Sequence, residues 1–115
     1  MDLTKFTNES IKDFQSRMRD YTIVLLKMTA KRDEPGVNDF ILEHARRNLA
    51  LREEGLASII CPVFGDPHFA GLYIFNTDVT EAKNIMEEDP AVKAGIFQFD
   101  VYSCKSMPGD SLPGK

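Results

Sequence analysis

Two residues of this chain have the type and placement for acid–base work. His44 lies in an amphipathic run. At roughly 100° per residue around a helix it projects between Val37, Phe40 and Leu51, while Glu43, Arg46 and Glu53 point the other way. An imidazole there is either a core histidine that satisfies its nitrogens locally or the lining of a pocket. In a pocket, a side chain that ionises near neutrality suits general acid–base catalysis. Asp89 precedes Pro90. Asp-Pro at a helix end is ordinary punctuation, because the residue before proline avoids the α region. Turned inward, the same carboxylate would orient an imidazole or take a proton.

Other chemistries lack their residues. There is no GxGxxG, Walker loop, HExxH or CxxC. Cys61 and Cys104 are too few for a disulfide framework or a four-ligand zinc site, and no metal or cofactor is expected. His68 and Asp66-Pro67 read as a solvated turn, and Arg46-Arg47 beside Glu43 and Glu53 as a solvated helix face. With 115 residues the chain is the size of one domain. Its formal charge of -4 lacks the basic face that nucleic acid demands. No apolar run approaches the length of a membrane span, and MDLTKFTNES resembles no signal peptide. A cytoplasmic protein with two free thiols is expected.

The elements that would position the pair follow from periodicity. Ile11, Phe14 and Met18 make one face of a helix over Thr7–Arg19. Tyr21–Thr29 is β-branched and apolar in both alternating sets, hence a strand covered on both faces. After Asp33-Glu34-Pro35-Gly36, a helix runs over Val37–Glu54 and stops at Gly55. Leu56–Val63 and Gly71–Asn76 form a hairpin. Asp78 caps a third helix, with Glu81 as its capping-box partner, that ends at Asp89-Pro90. Gly95–Ser103 is the last strand. Residues 1–20 are then a helical extension, 21–104 a βαββαβ ferredoxin-like α+β domain, and 105–115 a flexible tail. Two helices cover one sheet face. The other is also apolar, as Leu72 and Ile74 against Tyr73 and Phe75 show. A second copy would cover it, giving a two-fold homodimer. The alternative cover is the N-terminal helix of the same chain.

This order of elements carries further marks: Phe40, His44, Leu51 and Gly55 spaced as F-x3-H-x6-L-x3-G, Pro62 closing the second strand, Gly71 opening the third, and Asp89-Pro90 followed by Gly95. Together, over about Tyr21–Tyr102, they resemble the YCII-related family of small proteins. The resemblance implies a ferredoxin-like fold that dimerises into an α+β barrel. It also implies a His–Asp pair in a pocket, falling on His44 and Asp89, with either as the base. Some relatives are associated with dehydrohalogenation or lactone isomerisation, which need a base and no cofactor. The expectation is a cofactor-independent, isomerase- or lyase-like enzyme on a small organic molecule. The rival is a non-catalytic ligand-binding or accessory protein with the same pocket. Two departures stand out. Cys61 occupies a position where the family usually has glycine, so it would narrow the pocket and touch a ligand. The extension before the first strand is untypical. Tyr73 is either a further hydrogen-bonding group for the ligand or a core aromatic.

Overall fold

The structure, a computed structural model, describes residues 1–114. Its centre is β1 (Arg19–Met28), whose residues alternate between half-buried and fully buried. The buried set Thr22, Val24 and Leu26 meets the helices, and Tyr21, Ile23 and Leu25 face the other way. Antiparallel partners flank it: β3 (Phe69–Phe75) on one side and β4 (Phe97–Ser106) on the other, with β2 (Ala57–Pro62) outside β3. The order β2-β3-β1-β4 is that of the ferredoxin-like α+β fold read from the sequence.

Helices α2 (Val37–Glu53), α3 (Val79–Glu87) and the single turn α4 (Pro90–Lys93) cover one face. They enclose Leu51, Ala82, Met86 and Ala91 against Val24, Tyr73, Phe75 and Phe97. Helix α2 stops where expected. Gly55 takes a left-handed φ of 74°, its N–H returns to the Arg52 carbonyl, and Leu56 N–H returns to Leu51. Asp78 caps α3 by accepting from Glu81 N–H at 2.8 Å.

Strand boundaries depart from expectation. β1 starts at Arg19 and β3 at Phe69, ahead of Tyr21 and Gly71. β4 starts at Phe97, after Gly95 has turned the chain at φ 78°. It then runs on to Ser106 because β1 is long enough to pair with it throughout, from Met28↔Phe97 to Arg19↔Ser106.

Helix α1 (Asn8–Arg17) is capped reciprocally by Thr7 and Ser10. It does not lie over the open sheet face of its own chain. None of its residues is buried. Met18 is extended, and the chain passes directly into β1 without the turn that would fold the helix back. The molecule is accordingly 56 Å long and 29 by 26 Å across. The open face, carrying Ile23, Leu25, Leu72 and Ile74, has no helix over it among the described residues. Among the same residues no helix is long and apolar enough to cross a membrane.

Candidate functional site

Helix α2 and the α3–α4 junction bring the two marked residues together. Glu88 closes α3, and Asp89 then caps α4, with Pro90 in the first helical position. Asp89 is therefore a start signal as much as a stop. Its Oδ1 accepts from Ala91 N–H at 2.9 Å and Val92 N–H at 3.3 Å. Its Oδ2 lies 2.6 Å from His44 Nδ1. Asp89 has no exposed surface and His44 is 8% exposed. Burial opposes ionisation of this carboxyl, but the His44 contact and the two N–H groups outweigh it and hold it below the usual carboxylate range. An ionised carboxylate only accepts, so Nδ1 of His44 carries the hydrogen.

The other ring nitrogen faces a second pair. Asn48 Nδ2 lies 3.2 Å and Tyr73 Oη 3.4 Å from Nε2. Tyr73 O–H donates to Asn48 Oδ1 at 2.7 Å, so its hydrogen is committed there. Burial keeps the Tyr73 hydroxyl well above the usual phenol range, which makes it a donor and not a base. Tyr73 is a core aromatic whose hydroxyl joins the polar network beside His44. The Phe97 ring packs on the imidazole with centroids 4.8 Å apart.

His44, Asn48 and Tyr73 line a half-open hollow of about 220 Å³, walled by Leu26, Ile41, Ile60 and Phe97. An apolar cavity of ~150 Å³ holds a benzene ring, so the space suits one substituted ring. Cys61 borders the same hollow. Its side chain belongs by register with Leu72, on the open face. Its main chain forms the rim, where a Cβ on Gly71 would come 3.0 Å from the Cys61 carbonyl oxygen.

Three residues differ from the sequence reading. Phe40, expected beside His44, is 43% exposed, because periodicity gives a direction but not how far the neighbouring elements extend. Arg47, read as solvated, lies with Nη1 4.0 Å from Asp89 Oδ2, and that nitrogen is buried without a hydrogen-bond partner among the described residues. Asn48 is the residue that the sequence reading misses. Positions 44, 47 and 48 are one helical face at i, i+3 and i+4, and that spacing is the signal that could have found it. A second hollow of about 350 Å³ lies on the open sheet face, between Tyr21, Ile59, Ile74 and the tail residues Met107–Leu112.

No family model matches this sequence, and no curated protein matches it. Among solved structures it is similar to the 5-chloro-2-hydroxyhydroquinone dehydrochlorinase TftG from Burkholderia phenoliruptrix AC1100, determined in complex with 2,5-dihydroxybenzoquinone. The TM-score is 0.53 at 18% identity, over 71% of this chain and 90% of that one. At that identity the likeness is one of architecture, and the chain shares the ferredoxin-like α+β fold of this dehydrochlorinase.

Proposed function

We propose that the chain is a cofactor-independent, lyase- or isomerase-like enzyme related to the YCII family, with His44 as the base and Asp89 as its positioning partner. One observation carries this reading: His44 lines the hollow and Asp89 does not, and both oxygens of Asp89 are held by groups of the protein, which supports the imidazole as the acid–base group that a ligand would meet. Asp89 fixes the ring through Nδ1–H and stabilises the imidazolium that forms when Nε2 takes a proton. The proton would come from a ring carbon or hydroxyl of the substrate, whose electron pair then expels a leaving group or shifts a double bond. The size and apolar walls of the hollow support a single six-membered ring. TftG is named for a chlorinated hydroquinone and was determined with a quinone bound, which supports hydroxylated and halogenated rings as the first class to try. Two copies would close their open sheet faces on each other as a homodimer.

The test is turnover of chlorinated hydroxyhydroquinones, followed by chloride release and by deuterium uptake from heavy water. Positioned general-base catalysis is worth about 10²–10⁴-fold, so His44→Gln should lose at least ~100-fold in kcat. Ring compounds that bind wild type and His44→Gln equally, with no product from either, would leave a binding protein.

A further inference from the structure

Asn48 sits between the proposed base and the Tyr73 hydroxyl. As arranged, its Nδ2–H points at the Nε2 lone pair of His44 from 3.2 Å, and its Oδ1 receives the Tyr73 hydrogen at 2.7 Å. The first of these bonds fits one protonation state of His44 alone. A neutral imidazole with hydrogen on Nδ1 accepts at Nε2. An imidazolium donates there, and an N–H facing an amide N–H is an unpaired, repulsive contact in a buried site. Rotating the carboxamide by half a turn removes the conflict. Oδ1 then accepts from Nε2–H, and Nδ2–H donates to Tyr73 Oη. Tyr73 can no longer donate to the amide, so its hydrogen is released toward the hollow that it lines.

We propose that Asn48 is a positioning residue that couples the proton on His44 to the hydrogen-bond donor offered by Tyr73. This rests on His44 being the base. The Asn48 Nδ2–H first leaves the Nε2 lone pair. Nε2 then takes the substrate proton: the C–H or O–H bond breaks, the N–H bond forms, and the electron pair remains on the substrate, where a conjugated oxygen becomes negative. The reversed amide accepts from the new N–H through Oδ1, and Tyr73 O–H becomes free to donate to that oxygen. The remaining titratable groups around the imidazole are Asp89, from the turn that starts α4, and Arg47, one position before Asn48 on α2. Cys61 borders the hollow by its main chain, and its thiol belongs by register to the open sheet face. None of these contacts Asn48 in place of the ring or Tyr73.

The experiment needs no substrate, so its failure is separable from a failure to find turnover. In protein labelled with 15N at histidine and asparagine, a pH titration should show the Asn48 side-chain amide and the His44 ring moving along one curve. The coupling across the Nδ2–H···Nε2 bond should be present at high pH and absent at low pH. Asn48→Asp replaces the amide donor by a carboxylate that can only accept, so His44 should hold its proton at least tenfold more tightly than in Asn48→Ala. An Asn48 amide that ignores His44 ionisation in the wild-type protein would overturn the proposal. So would equal proton affinity in the two variants, and if Asn48→Asp does not fold, the wild-type titration decides alone.

Discussion

Asp89 serves two masters, and the consequences separate by substitution. Its Oδ1 caps α4 and its Oδ2 holds His44. Asn retains capping ability and Ala does not. Asp89→Ala should therefore destabilise the fold by about 2–4 kcal/mol, combining a lost cap with a lost charge-assisted bond, while Asp89→Asn costs less but impairs any His44-dependent turnover. Urea unfolding of the two variants checks the ranking. The carboxyl titrates below its ordinary value in the folded chain, where burial is outweighed by its partners. A depressed carboxylate contributes stability that is present above the unfolded-state value near 3.8 and lost as pH falls through the folded one. Unfolding free energy should drop below about pH 4 in wild type, and that component should be missing in Asp89→Asn. His44 and Asp89 stand at identifiable places, one on an apolar helix stripe and one before a proline, but those places also fit a core histidine and a helix stop, and it is the resemblance to the YCII-related family that pairs them. Asn48 and Arg47 are not legible in the sequence, because polar residues beside a charged run read as solvent-facing until the position of α4 is known.

At the scale of elements, the order and the sheet are readable from alternation and turn residues, down to the Gly55 stop and the Asp78 cap. Strand ends are not, since a partner strand sets them: β4 reaches Ser106 only because β1 begins at Arg19. The destination of α1 is equally hidden. Its apolar stripe states that something could cover it, and the extended Met18 places it clear of its own domain. A helix with no buried residue contributes nothing to the core. Removing residues 1–17 should reduce helical circular dichroism yet leave the unfolding free energy of the remaining domain, read from its urea curve, within about 0.5 kcal/mol. A larger loss would mean that α1 packs on the domain in solution.

Among the described residues the helices cover one sheet face and leave the other without a helix, and that open face is apolar along its centre. If two copies close on it, a charge placed there must break the assembly while leaving the core intact. Ile74→Asp should turn a dimer into a monomer in sedimentation equilibrium at micromolar protein, with the β-sheet signal unchanged. A wild-type species of 13.0 kDa under the same conditions would remove the dimer. The projecting α1 decides how that measurement has to be made. A compact chain of this length has a radius of gyration near ~13 Å, and this one has 17.0 Å. Its friction in solution therefore exceeds that of a sphere of equal mass. A lone copy would leave a gel-filtration column early, at the volume of a heavier globular protein. Elution volume alone would report two chains where there is one, so mass must come from sedimentation equilibrium or light scattering, which do not depend on shape.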